Sequence, residues 1–318
     1  MASRCELVYG KSGSGKTTWW MRIAEEIYRA SGGKLKTRLY LGDGGLETVE
    51  AAGLIEEGIV EYCPFTLWNH PFETFQFITE GYWPEDPTNP KSKWVKPDYA
   101  KLAQSYGMFV FEGLSVGADY LMGDREGGLA ERMSKGESLN NDESFKFTDG
   151  SIKVGGNART HYSTTQRRIL HYVETSKVLP GWVQWTAHER QAQDYDTKEI
   201  EFGPDVAGKA LTTKIGASFG NSVHLHPVTK KTKAKDPVSG KEVEKIEISY
   251  RAYTRKHYDP DNNTYIRYYA NNRMAYTQTK DMPEFLEPPD PMKFYAILAE
   301  GKRKHKELQA KKMELTNS

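Results

Sequence analysis

Residues Arg4 to Tyr9 alternate between polar and apolar and run into a glycine-rich stretch, which predicts a β-strand followed by a loop. Lys16 to Arg29 then follows the helical period. Ser31-Gly32-Gly33 closes that helix, with Gly32 or Gly33 supplying the left-handed residue past its end. The order repeats: Thr37 to Leu41 reads as a strand, Gly42-Asp43-Gly44-Gly45 breaks it, and a short helix is expected from about Leu46 to Ala52. Gly58 to Tyr62 fits a short edge strand. From Pro64 to Pro97, six prolines and four tryptophans or tyrosines fall with little periodicity, which predicts a surface excursion.

Met108-Phe109-Val110-Phe111 is the short apolar run of a strand buried on both faces, closed by Glu112-Gly113. A helical pattern covers about 114 to 133. Ser134 to Asn157 is rich in Gly, Ser, Asn and Asp, which fits a long loop or a segment that orders on binding. Arg159 to Lys177 reads as a helix, Trp182 to Ala187 as a further buried strand, and Val223 to Val228 as another. The charged stretch Lys230 to Lys245 turns at Asp236-Pro237-Val238-Ser239-Gly240, and Glu244 to Tyr253 alternates, so a β-hairpin is expected near 228–256. Strands alternating with helices predict an α/β class with a mainly parallel sheet flanked by helices over 1–275. Beyond it, 276–318 reads as a proline-rich connector (Pro283 to Pro291) and a basic helix from Phe294 to about Leu315.

Composition narrows the function classes. The 318 residues hold 44 Lys plus Arg against 43 Asp plus Glu, a net charge of +1, so any site for a polyanion must be local. At 37% hydrophobic and 12% aromatic the chain has the apolar content to fold. Cys5 and Cys63 supply neither a disulfide framework nor a four-thiolate zinc site, and a reducing cytoplasm is the expected home. No stretch approaches the roughly 20 apolar residues of a bilayer span.

Gly10-Lys11-Ser12-Gly13-Ser14-Gly15-Lys16-Thr17 fits G-x-x-x-x-G-K-[ST], and it lies between an expected strand and an expected helix, as a phosphate-binding loop must. Its glycines admit close backbone approach, so successive N–H groups can turn inward on a phosphate, to which the helix adds its positive end. Gly10 through Thr18 are the expected nucleotide contacts. Lys16 is expected to bridge the β- and γ-phosphates of ATP and Thr17 to place its hydroxyl on Mg²⁺.

Hydrolysis also needs a carboxylate for Mg²⁺ and one to orient water, usually from neighbouring strand ends. Glu112 ends the Phe109 to Phe111 strand where a metal-binding carboxylate belongs, although aspartate is the commoner residue there. Asp43 ends the second strand and fits the water-orienting base, a metal ligand, or a turn aspartate; Glu47 is a weaker substitute. Gln184, Thr186 and His188 share one face of their strand and Val183, Trp185 and Ala187 the other. His188 is a candidate γ-phosphate sensor or an ordinary hydrogen-bonded histidine, with Glu189 behind it.

The order Gly10 to Thr17, Tyr40 to Gly45, Phe109 to Ser115, Thr186-Ala187-His188-Glu189 and Phe202-Gly203-Pro204-Asp205-Val206-Ala207-Gly208-Lys209-Ala210-Leu211 resembles the RecA-core P-loop ATPases of bacteriophages. Within them it looks most like the Sak-type recombination ATPases related to single-strand annealing. The resemblance spans about residues 4 to 275. It implies ATP at a subunit boundary, self-association into a ring or filament, single-stranded DNA on loops of the oligomer, and a basic residue supplied by the adjacent subunit. Arg273 is the first candidate for that residue, with Lys230 and Lys231 behind it. Candidate DNA contacts are the hairpin lysines 230, 231, 233 and 235, the basic C-terminal helix, and Tyr253, Tyr258 and Tyr265 interleaved with Arg251, Arg255 and Lys256. Two alternatives stand beside this one: a P-loop kinase with Arg125 and Arg132 as a phosphate lid, and a nucleotide-binding scaffold in a phage assembly.

Overall fold

The strand that feeds the glycine-rich loop lies inside the sheet, not at its edge. In the computed structural model, which describes residues 4–68, 70–122, 144–146, 152–154, 159–193, 200–235, 242–254, 257–259, 264–268 and 282–316, this strand is β1 (Arg4–Gly10) and runs into helix α1 (Lys16–Ala30). There follow β2 (Lys36–Leu41), α2 (Leu46–Ala51), β3 (Val60–Pro64), α3 (Pro71–Thr79), the small pair β4 (Trp83–Pro84) and β5 (Trp94–Val95), α4 (Tyr99–Ser105) and β6 (Tyr106–Glu112). Residues 114–122 form α5, β7 (Ser144–Lys146) pairs with β8 (Ile152–Val154), and α6 (Arg159–Ser176) leads to β9 (Trp182–Gln193). The remainder is β10 (Ile200–Pro204), α7 (Lys209–Ile215), the long hairpin β11 (Asn221–Lys235) and β12 (Glu242–Tyr253), the short strands β13 (His257–Asp259), β14 (Thr264–Tyr268) and β15 (Phe285–Leu286), and α8 (Pro291–Thr316).

Strands β3, β2, β6, β9, β1 and β11 lie side by side in that order, all parallel. The β12 and β15 strands extend the sheet antiparallel beyond β11. On its far half β9 leaves β1 and pairs instead with β10, which carries β14 and β13. The chain is thus α/β with a mostly parallel mixed sheet flanked by helices, and β9 separates the strand ending in the glycine loop from the strand ending in Glu112.

Side-chain alternation sorts the core into two layers. Cys5, Leu7 and Tyr9 of β1, Phe109 and Phe111 of β6, and Val183, Trp185 and Ala187 of β9 pack on one face of the sheet, with α3, α5 and α6. Val8, Leu39, Leu41, Met108 and Val110 pack on the other, against Trp19, Trp20 and Ile23 of α1 and Phe294 and Leu298 of α8. Trp19 meets Phe294 edge to face at 5.9 Å, so the first turns of the C-terminal helix belong to this core. That helix begins at Pro291, earlier than its periodicity suggests. Asp290 accepts from the Met292 and Lys293 N–H groups, and Pro291 occupies the first helical position, where no N–H is needed.

One sequence expectation is overturned in part: residues 64–84 are not a surface excursion, whereas 85–97 lie at the surface as expected. Phe65, Trp68, Phe75 and Ile78 are buried in the first core layer, and the apolar residues of α3 pack against Tyr172 of α6. Pro71 starts α3 instead of breaking structure, and Phe75 fits because Gly117 of α5 offers no side chain: a Cβ there would lie 2.1 Å from the Phe75 ring. Among the described residues no helix is long and apolar enough to cross a membrane.

Candidate nucleotide-binding site

The glycine loop and the carboxyl ends of β2, β6 and β9 enclose one cleft of about 470 Å³, lined by Ser12, Gly13, Gly15 to Thr18, Asp43 to Gly45, Thr48, Glu112 and His188. Open α/β sheets bind ligands at this edge, beyond the carboxyl ends of their strands. Gly13 and Gly15 take φ of +72° and +90°, the left-handed region that disfavours side chains. Ser14 is buried, and its hydroxyl has no partner among the described residues.

Lys16 is 7% exposed, and its Nζ donates to the carbonyls of Gly10 at 3.1 Å and Lys11 at 2.9 Å. Burial pushes its pKa down, while Asp43, Glu112 and Glu189 oppose that shift. A buried ammonium held by carbonyls and overlooked by carboxylates is a cation ready to exchange those carbonyls for phosphate oxygens.

Glu112 leaves the end of β6 almost fully buried. Thr17 Oγ1 donates to its Oε1, and Trp20 Nε1 donates to its Oε2 at 3.2 Å. Its extra methylene carries the carboxyl across to α1, and Gly45 leaves room for it: a Cβ there would stand 2.9 Å from the carboxyl carbon. Burial pushes the Glu112 pKa up to about 7, the Thr17 bond opposing and the Asp43 charge adding to it.

Asp43 lies across the cleft, one carboxylate oxygen buried with no hydrogen-bond partner among the described residues and the other 4.0 Å from His188 Nε2. The β9 end that carries His188 is fixed by the segment following β6. The Gly113 N–H donates to Thr186 Oγ1 at 3.0 Å, and the His188 N–H donates to Ser115 Oγ at 2.9 Å. The strand faces are as expected: Gln184 and Thr186 lie on the α1 side and Trp185 in the opposite layer.

A second cleft of about 320 Å³ adjoins the first and shares Gly13, Gly15 and Thr18 with it. Its other walls are Ser14, Trp19, Arg22, Tyr250, Pro288, Pro289 and Pro291, so a largely apolar slot opens beside the glycine loop. Sequence reading did not find Trp20, Thr48 or this slot. The apolar period of α1 marked Trp20 only as core, and the proline-rich segment only as a connector. Glu47, in the first turn of α2, does not line the cleft.

Glu189, ranked last among the sequence candidates, is more deeply engaged than expected. Its Oε1 is 3.8 Å from Lys11 Nζ, and its Oε2 shares a 2.6 Å hydrogen bond with His224 Nε2. Burial raises the Glu189 pKa, but bonds from His224 and His226 outweigh that and hold it at about 2; burial carries His224 down to about 4.

Arg273, Arg125, Arg132, Arg255 and Lys256 lie outside the described residues. Tyr253, expected as a stacking platform, is 3% exposed and packs on Phe285 at 5.6 Å, so its ring is not free for a base. Arg251 pairs with Glu287 at 2.7 Å. The hairpin register sets Lys230 opposite Glu247, Lys233 opposite Glu244 and Lys235 opposite Glu242. No protein-family model matches this chain, and no curated protein matches it.

Proposed function

We propose that the protein is a RecA-like P-loop ATPase of the phage type, which binds and hydrolyses Mg-ATP and couples it to single-stranded DNA in recombination or replication. The observation that carries the reading is the Thr17–Glu112 hydrogen bond, which joins the phosphate loop to a strand end one strand removed. A hydroxyl and a carboxylate held together at the phosphate edge are the oxygen donors that Mg²⁺ takes. The residues fit that group: Asp43 keeps a buried oxygen with no hydrogen-bond partner among the described residues, and the left-handed glycines leave the loop open above Lys16. Bound Mg²⁺ would neutralise charge on the β- and γ-phosphates. Lys16 would move its Nζ from the loop carbonyls to phosphate oxygens, Asp43 would orient the attacking water, and His188 would stand beside the γ-phosphate. The slot at Tyr250 and Pro288 would take the base.

The DNA step and assembly into a ring or filament rest on the family resemblance. The opposed glutamates of the hairpin favour a second reading, in which nucleotide state drives association of copies without DNA. One assay separates the two: steady-state ATP hydrolysis with and without single-stranded DNA, at low and high salt, beside Lys16→Ala. DNA-stimulated turnover that salt suppresses and Lys16→Ala abolishes supports the first reading. Turnover indifferent to DNA supports the second, and tight binding with no turnover refutes the ATPase.

A further inference from the structure

At the point where β1 turns into the phosphate loop, the sheet opens between β9 and β11, and three side chains close the gap. His224 and His226 are two apart on β11, so they share one face. Glu189 extends from β9 past the last β1 pairing, Gly10 with His188, and reaches them. Its Oε2 lies 2.6 Å from His224 Nε2 and 3.5 Å from His226 Nδ1, and one ligand atom from each of the three residues falls within 4.8 Å of the others.

We propose that Glu189, His224 and His226 form a binding site for a first-row divalent metal of the zinc class, separate from the Mg-nucleotide cleft. Two imidazoles and one carboxylate are a zinc ligand set that leaves a position open for water, and nitrogen donors select such metals over Mg²⁺. Zinc bonds of about 2.0 to 2.2 Å place ligand atoms roughly 3.3 Å apart across a tetrahedron, so Glu189 and His224 part slightly and His226 closes in.

The rings are held for this use. His224 stacks between Tyr9, at 4.7 Å, and Phe202, at 5.2 Å, and His226 lies 5.2 Å from the same Phe202. Rings locked by packing meet a metal with little rearrangement, and that separates a ligand site from a chance cluster. Glu189 Oε1 lies 3.8 Å from Lys11 Nζ, so metal bound there draws charge away from the phosphate loop and links the two sites reciprocally.

The test uses the full chain, stripped with a chelator and titrated with Zn²⁺ by calorimetry without nucleotide, with Co²⁺ absorption as the geometric readout. The expected result is one tight Zn²⁺ per chain in wild type and equally in Lys16→Ala and His188→Ala. His226→Ala, at a partly exposed position that leaves the fold intact by its melting curve, loses affinity by roughly 100-fold or more. Absence of Zn²⁺ binding in wild type overturns the proposal, as does binding that survives His226→Ala or disappears in His188→Ala. Because no nucleotide is present, failure here leaves the ATPase reading standing, and the reverse holds equally.

Discussion

Thr17 and Glu112 stand 95 positions apart in sequence and share a hydrogen bond, while Trp20 holds the second carboxylate oxygen of Glu112 at 3.2 Å. The glutamate's longer side chain thus docks on the first turns of α1. Glu112→Asp retracts the carboxyl from both donors. Turnover is expected to fall on the order of 100-fold or more, while nucleotide binding without Mg²⁺ stays within a few-fold. Equal losses in both measurements would show that Glu112 supports the loop instead of the metal.

The buried Glu112 carboxyl also fixes a pH dependence. Its pKa is about 7 in the folded protein against 4.5 as the ordinary value. Between those values the unfolded chain binds fewer protons than the folded one, so this group's contribution to stability falls as pH rises from about 4.5 to about 7, and is constant above. Glu112→Gln keeps the shape and removes the titration. Without Mg²⁺ or nucleotide, the melting temperature of Glu112→Gln relative to wild type is expected to climb from pH 5 to pH 7 and then level off. A difference that does not change with pH places the carboxyl in water.

Phe75 tests the reassignment of residues 64–84. It is 1% exposed, meets Phe65 edge to face at 5.2 Å and lies against Gly117. Phe75→Ala is expected to cost about 3–5 kcal/mol in denaturant unfolding, the range for a large aromatic lost from a core. A surface excursion would limit the change to about 0.5 kcal/mol.

That segment shows where sequence legibility ended. The strands β1, β2, β6 and β9 were readable because β1 alternates, β6 and the start of β9 are short apolar runs of the kind a sheet covered on both faces requires, and glycine or a polar residue stops each. Glu112, Asp43 and His188 could be placed because each ends one of those runs. Helix α3 was not readable: Pro71 looks like a breaker although proline suits a first helical position, and its crowded aromatics hide any period. The hairpin lysines were visible, but the glutamates opposite them depend on register, which no local pattern states. Val223 to Val228 was readable as a strand, which puts His224 and His226 on one face, yet Glu189 joins them only because β9 outruns β1. Local chemistry was legible, and what depended on which strands lie side by side was not.

Tyr250 offers the most specific check on how a nucleotide would lie. It is 39% exposed on β12 and lines the slot that meets the phosphate cleft at Gly13, Gly15 and Thr18. A base stacked on its ring would gain roughly 1–3 kcal/mol, so Tyr250→Ala should weaken ATP binding by about 5- to 150-fold. Inorganic tripolyphosphate has no base, and its affinity should be unchanged by the same substitution. Lys16→Ala should weaken both ligands, since the ammonium meets phosphate in either. The pair of variants thus divides the site into a base end and a phosphate end, with isothermal titration of both ligands as the measurement. If Tyr250→Ala leaves ATP affinity intact, the base lies elsewhere and the slot beside α1 has no part in nucleotide recognition.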